Sequence, residues 1–269
     1  MLGMHCVIYL NDNSQPWAQQ WADAMAAGLL ACGEAVERRQ IDDLVDSDLA
    51  IIWGHGKPGV IAYQRDIESH YMVMERGYIG DRMKFTSLGF DGLNGRALFG
   101  PGGNHPDRWE KHDFSMMPWR RGGDYVLIMG QVPGDQSIQH LDIRAVLSAA
   151  ADEAATATGL PVYYRPHPLA HESWIPAPAL YGTLADALAG AERVITINSN
   201  SGVDAVLAGV PTVTLDRGSM AWDVTSHTVS EPLCYANRDQ WAYDLAYCQW
   251  TEDEIRSGEA WEHVRHAIR

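Results

Sequence analysis

Short runs of strand-type apolar residues alternate along the chain with longer segments of helical period, the pattern of a mostly parallel sheet covered by helices. In the first half HCVIYL (5–10), DLAIIWG (48–54) and YMVMERG (71–77) read as strands. PWAQQWADAMAAGLLACG (16–33) reads as a helix, with Pro16 at its start and Gly33 as its stop, and a second helix is expected after Pro58. From 78 to 123 no period holds, and a stretch of that length predicts a functional loop or irregular structure covering a site. The alternation resumes with strands DYVLIMG (124–130), PVYYRPH (161–167), RVITINS (193–199) and PTVTLD (211–216), and with helices over 141–158, 183–190, 201–209 and 237–248. Two successive α/β halves in 269 residues predict two Rossmann-like domains, 1–121 and 122–269, facing each other across a cleft, with the last helix free to pack back on the first domain. Ligands of such sheets bind beyond the carboxyl ends of the strands.

Those strand ends carry the candidate chemistry. VITINSNSGVDAVLAGVP runs a strand into Ser199, Asn200, Ser201 and Gly202 and then into a helix with Asp204 in its first turn. Free backbone N–H groups and small hydroxyls at such a turn suit a phosphate, although Ser201 and Asp204 could instead close a capping box. YYRPHP (163–168) sets Arg165 and His167 at another strand end, held extended by Pro166 and Pro168. Arginine offers a forked donor for phosphate, and histidine a donor or an acid–base group. MGQVPGDQSI (129–138) adds a third turn after a strand, while YMVMERGYIGDR brings Glu75, Arg76, Asp81 and Arg82 together at a fourth. DRGSMAWDVTSH (216–227) either brings Asp216, Arg217, Asp223 or His227 near the ligand or forms a loop shaped around Trp222. With neither GxxxxGK[ST] nor GxGxxG present, an NTPase or a dinucleotide dehydrogenase is disfavoured.

Composition narrows the classes further. A net charge of −15 argues against a broadly basic surface for nucleic acid, which leaves a local cluster of PWRRGG (118–123) with Arg76, Arg82, Arg96, Arg108 and Lys111. Cys6, Cys32, Cys234 and Cys248 show no CxxC pair or zinc-ligand spacing and read as reduced thiols. The start MLGMHCVIYLND lacks a basic leader, and no stretch approaches the ~20 apolar residues that span a bilayer, so a cytoplasmic protein without membrane contact is expected.

Four segments, MERGYIGDR, GQVPGDQSI, RPHP and SNSGVDAVLAGVP, occur in this order between 71 and 220. Together they resemble the capsule-type Kdo transferases of GT-B fold, with their E-D-G-F, G-Q-x-x-x-D-x-S-I, P-H-P and S-x-x-G-x-E-A-L-x-x-G-x-P motifs. The resemblance implies an α/β GT-B glycosyltransferase whose nucleotide-sugar is held mainly by the second domain; we expect a UDP-sugar in preference to a CMP-sugar, and a reaction that requires neither metal nor bound cofactor. It would place Arg165 and His167 near the donor phosphates, Ser199, Asn200, Ser201 and Gly202 around them, and Asp204 where the family has the glutamate that reaches the ribose. Gln131, Asp135 and Ser137 would line the cleft. One departure is chemical: the family's catalytic aspartate corresponds to Arg76. Another is the tail CQWTEDEIRSGEAW, which with ERGYIGDR and GSMAWDVTSH resembles phage-encoded proteins that glycosylate hydroxymethylated DNA bases.

The expected reaction is transfer of a sugar to a hydroxyl, 5-hydroxymethylcytosine in phage DNA, with inversion. Glu75 takes the acceptor's proton, beside Arg76, with Asp81, Asp91 and His55 in reserve; Arg165, His167 and the 199–202 turn stabilise the departing nucleotide. Arg82, Arg96, Arg120 and Arg121 would hold the DNA acceptor. The alternatives are a capsule or lipopolysaccharide sugar transferase and a non-catalytic nucleotide-sugar-binding module.

Overall fold

The computed structural model describes residues 3–11, 14–170 and 175–268. In chain order the elements are β1 (His5–Tyr9), α1 (Pro16–Ala31), β2 (Ala35–Arg39), β3 (Leu49–Trp53), α2 (Pro58–Asp66), β4 (His70–Arg76), β5 (Phe85–Phe90) and α3 (Asp107–Lys111). They continue with β6 (Tyr125–Met129), α4 (Ile143–Thr158), β7 (Val162–Arg165), α5 (Leu184–Ala189), β8 (Ala191–Thr196), α6 (Ser201–Leu207), β9 (Thr212–Thr214), α7 (Asp239–Ala246), β10 (Gln249–Thr251), α8 (Glu252–Ser257) and α9 (Glu259–Val264). The chain forms two units, Met1–His112 with Ala242–Arg269, and Asp113–Trp241. The segment from Ala242 onward, placed by sequence in a domain spanning 122–269, thus belongs to the first unit, where β10 joins the sheet.

The first unit holds a six-stranded sheet ordered β10-β5-β4-β3-β1-β2. β1 to β4 are parallel; at one edge β5 runs antiparallel to β4, and β10 antiparallel to β5. Alternation sorts the strands' side chains between two cores: Cys6, Ile8, Ile51, Met72 and Met74 under α1, α8 and α9 on one face, Val7, Tyr9, Ala50, Ile52 and Val73 with α2 on the other. α1 buries Ala18, Trp21, Ala22, Met25 and Leu29, one face of a 3.6-residue helix. At Gly28 a Cβ would lie 1.9 Å from the Ile255 carbonyl oxygen, so this glycine is what lets α8 approach α1.

β2 and β5 were not legible. AVERR sits on the sheet edge with charged residues, and FTSLGF is buried at all six positions, so neither shows the alternation of a half-buried strand. The supposed irregular stretch from 78 accordingly contains β5 and α3.

One buried ion pair fastens the returning segment. Arg108 and Glu254, 3% and 5% exposed, form a two-pronged bond, Nη1 to Oε1 at 2.7 Å and Nη2 to Oε2 at 3.0 Å. Arg108 also donates to the carbonyls of Ala246 and Gln249 and lies 3.9 Å over the Trp250 ring, while Lys111 reaches Glu254 at 2.7 Å. Burial by itself would raise the Glu254 carboxyl, but hydrogen bonds from Arg108 and Lys111 hold it far below the ordinary carboxylate range.

The second unit holds the parallel sheet β7-β6-β8-β9. α4 covers one face through Leu147, Ala150 and Ala154; Ala187, Leu188, Ala205 and Val210 cover the other. The strands and helices expected in this half all occur with ends moved by a few residues, β8 starting two residues ahead of the expected 193.

Arg108→Met, which leaves the buried Glu254 carboxylate with Lys111 but without its two-pronged partner, is expected to cost about 3 kcal/mol in urea unfolding. Because the folded carboxyl is depressed, its contribution is full above its unfolded pKa and is lost as pH falls through the folded one. The acid limb of the stability curve should therefore be shallower in the variant, and an unchanged limb would contradict the clamp.

Candidate functional site

In the second unit the carboxyl ends of β6, β7 and β8 bring the donor-type residues onto one edge. Gly130 leaves no room for a side chain, its Cβ position lying 2.3 Å from the Tyr164 hydroxyl, and its N–H donates to the Arg165 carbonyl at 2.9 Å. The chain then turns at Asp135, whose Oδ1 accepts from the Ser137 backbone N–H at 2.8 Å and lies 2.7 Å from Ser137 Oγ. Gln131, 6% exposed, donates from Nε2 to Asn198 Oδ1 at 2.8 Å and accepts the Asn198 backbone N–H at 3.0 Å, joining the exits of β6 and β8. Asn198 Nδ2 donates to the Ser137 carbonyl at 3.0 Å and to Asp216 Oδ1 at 2.7 Å. Asp216 Oδ2 in turn meets His140 Nε2 at 3.0 Å.

The Ser199 and Ser201 hydroxyls lie 2.9 Å apart, and Ser199 N–H donates to Thr196 Oγ1 at 3.3 Å. Gly202 packs on Thr196, with its Cβ position 3.0 Å from the threonine methyl. α6 starts with Asn200 as N-cap and no side-chain cap bond, so the Ser201–Asp204 capping box considered from sequence is not formed; Asp204 lies in the first turn.

Arg165 donates from Nη1 to the Gly182 carbonyl at 2.9 Å. His167 Nδ1 accepts the Leu169 backbone N–H at 3.1 Å. That bond fixes the neutral tautomer with the proton on Nε2, a hydrogen-bond donor rather than a base. Burial lowers the His167 pKa, and Asp135 offsets part of this.

The cluster in the first unit is built differently. Glu75 stands at the carboxyl ends of β3 and β4, its Oε1 3.3 Å from the Cβ position of Gly54, and accepts the Arg76 backbone N–H at Oε2, 3.3 Å. Arg76 lies 5.2 Å over the Trp17 ring and donates to Met83 Sδ. The following YIG is pinned by Gln249 of β10, wholly buried, which accepts the N–H groups of Tyr78 and Ile79 at 2.6 and 3.0 Å and donates to the Ile79 carbonyl at 3.1 Å. Gly77 is required there, since a Cβ would lie 2.7 Å from Phe85 Cβ and 2.8 Å from Gln249 Oε1.

Among the reserve residues, Asp81 closes the turn by accepting the Met83 N–H at 3.1 Å. His55 lies against Tyr71 with its pKa lowered by burial and by Arg65. Asp91 sits at the opposite, amino end of β4, bonded to His70 Nδ1 at 2.6 Å and to the Tyr71 N–H at 3.0 Å, which removes it from the Glu75 cluster.

Several members of the expected basic cluster are engaged within the fold. Arg108 and Lys111 are committed to Glu254. Arg120 donates to the carbonyls of Leu188, Ala189 and Ala191, closing the end of α5, so its guanidinium serves the fold; Arg121 stacks 4.2 Å over Tyr235. Arg82 is half-buried in the turn after β4, and Arg96 lies in a short turn at Asn94–Arg96. Trp222 stacks on His227 with ring centroids 3.6 Å apart, and of the 216–227 group Asp216 joins the Asn198 network.

Asn198, His140 and Gln249 were not singled out by sequence. The available signal for Asn198 was an amide ending an otherwise apolar strand, VITIN, directly ahead of the serine turn. Among the described residues no group of three or more His, Cys, Asp or Glu could hold a metal, and no helix is long and apolar enough to cross a membrane.

Two solved structures from Thermosulfurimonas dismutans superpose on nearly the whole chain. KpsC, beta Kdo 2,7 transferase, gives a TM-score of 0.57 at 11% identity, covering 95% of this chain and 98% of that one. KpsC, beta Kdo 2,4 transferase, gives 0.54 at 14% identity, covering 89% of each. The fold is GT-B. Two Rossmann-like units, one with a four-stranded parallel sheet and one with an antiparallel edge, are this architecture, as the motif order implied. No protein-family model and no curated protein matches the chain.

His167 should titrate below the ordinary histidine value of about 6.5, and nitrogen-detected NMR at neutral pH should show the proton on Nε2. A proton on Nδ1 would contradict the Leu169 bond.

Proposed function

We propose that the chain is a glycosyltransferase moving a sugar from a nucleotide-sugar, a UDP-sugar in preference to a CMP-sugar, to a hydroxyl acceptor. The observation that carries this reading is the assembly of Asp135, Ser137, Arg165, His167, Ser199 and Ser201 on the carboxyl edge of one parallel sheet of a GT-B fold. Negative charge grows on the nucleotide as it leaves. Arg165, the Nε2–H of His167 and the hydroxyls of Ser199 and Ser201 are donors suited to that charge, beside the Gly202 backbone. Asp204 is assigned to the ribose. Gln131 lines the same edge.

Glu75 is assigned the acceptor proton, and transfer then proceeds by direct displacement with inversion. Its Arg76 neighbour, held on Trp17, replaces the acid of the resembling family. That replacement favours a second reading, a module that binds nucleotide-sugar without turnover. As acceptor, a hydroxymethylated DNA base is the narrower form and a saccharide hydroxyl its competitor. The DNA form would rely on Arg82, Arg96 and Arg121, because Arg108, Lys111 and Arg120 are engaged within the fold.

Mass spectrometry after incubation with UDP- and CMP-sugars, and with both hydroxymethylated DNA and saccharides, should show one acceptor gaining a sugar. Donor binding without turnover on any acceptor selects the module. Glu75→Gln should lower transfer by about 100-fold or more while donor affinity stays within about twofold, and a wild-type rate removes Glu75 from the role.

A further inference from the structure

We propose that Asn198 is the positioning residue of the nucleotide-sugar site, setting the β6 exit with Asp135, Ser137 and His140 against the β8 exit with Ser199 and Ser201. The inference rests on the reading of that site given above and assigns a residue that reading does not use.

The Asn198 side chain, 4% exposed, meets partners on all sides. Oδ1 accepts from Gln131 Nε2 at 2.8 Å and shares the proton of Ser137 Oγ, 3.2 Å away, with Asp135. Nδ2 donates to the Ser137 carbonyl at 3.0 Å and to Asp216 Oδ1 at 2.7 Å. The orientation of the amide is fixed, because a carbonyl and a carboxylate can receive only its NH2 side. Asp216 is itself held, its Oδ1 also accepting the Gly218 N–H at 2.9 Å and its Oδ2 meeting His140 Nε2 at 3.0 Å. One amide therefore ties the exits of β6, β8 and β9.

The sheet beneath does not depend on it. β6 and β8 pair along their backbones through Val126–Arg193, Leu127–Val194 and Ile128–Ile195. What Asn198 adds lies beyond the last paired residues, where the strands diverge into the two ligand-facing turns. Its polar atoms are occupied by protein, so it acts through Ser137, Gln131 and Asp216 rather than on ligand.

No other side chain supplies two donors and an acceptor of this shape. Asn198→Asp loses both donors and sets a second carboxylate against Asp216. Combining it with Asp216→Asn restores a donor–acceptor pair in the reverse sense.

Calorimetry with UDP-glucose, UDP-N-acetylglucosamine and a CMP-sugar, using whichever the wild type binds most tightly, should show Asn198→Asp weaker by about tenfold or more. The Asn198→Asp/Asp216→Asn chain should recover several-fold of that loss, which a residue of purely structural role would not do. Amide hydrogen exchange should quicken over 131–140 and 198–201 in Asn198→Asp and not in β6 or β8. Should that variant not fold, Asp216→Ala alone takes its place, since it removes the acceptor of Asn198 Nδ2, with the same weakening and exchange pattern expected. Absence of binding by the wild type overturns the reading of the site. Wild-type binding that persists within about twofold in the folded variant overturns the positioning role alone.

Discussion

A parallel strand that runs on past its paired neighbours leaves polar groups which the sheet no longer pairs, and buried ones must find partners elsewhere. In the second unit the Asn198 amide meets that demand for the exits of β6, β8 and β9 together. Its partners are a glutamine, a serine and an aspartate, all uncharged or hydrogen-bonded in place, so the network contributes rigidity without stranding a charge. The turns it fixes are the ones that carry Asp135, Ser137, Ser199 and Ser201. Turns held this way have few other arrangements open to them.

The first unit solves a related problem with different means. Its edge is finished by a segment from the far end of the sequence, where β10 pairs β5 and Gln249 supplies the hydrogen bonds that YIG would otherwise lack. Arg108 and Glu254 fasten the same segment from below, and Gly28 gives α8 its close seat on α1. Glu75 and Arg76 thus stand on a strand whose continuation is rigid. The guanidinium at 76 rests on an aromatic ring instead of reaching into solvent, so its position is set by packing as much as by charge.

The elements read most easily were those whose burial follows a period. α1 and α4 and the strands His5–Tyr9, Leu49–Trp53, His70–Arg76 and Tyr125–Met129 each show one face or a continuous apolar run. β2 escaped because an edge strand can carry charge, β5 because Thr, Ser and Gly interrupt its buried run, and β10 because three residues show no period. The turns at the strand ends were legible as local chemistry, since glycine, proline and serine favour the tight backbone that follows a strand. Asp91 and Arg120 were misplaced for one reason: proximity in sequence to a motif says nothing about which end of a strand a residue occupies, or whether a carbonyl cluster has already claimed its donors.

By itself, the sequence determined the fold class and the polar turns at the strand ends, because both follow from periodicity and from the local preferences of glycine, proline and serine. Only the tertiary structure decided which polar groups are spent. Arg108 meets Glu254 across 146 positions, Asn198 meets Gln131 across 67, and Gln249 meets Tyr78 across 171. Partnerships over such separations leave no local pattern in either segment, since each residue taken alone satisfies the same local rules whether it faces solvent, a ligand or a distant carbonyl.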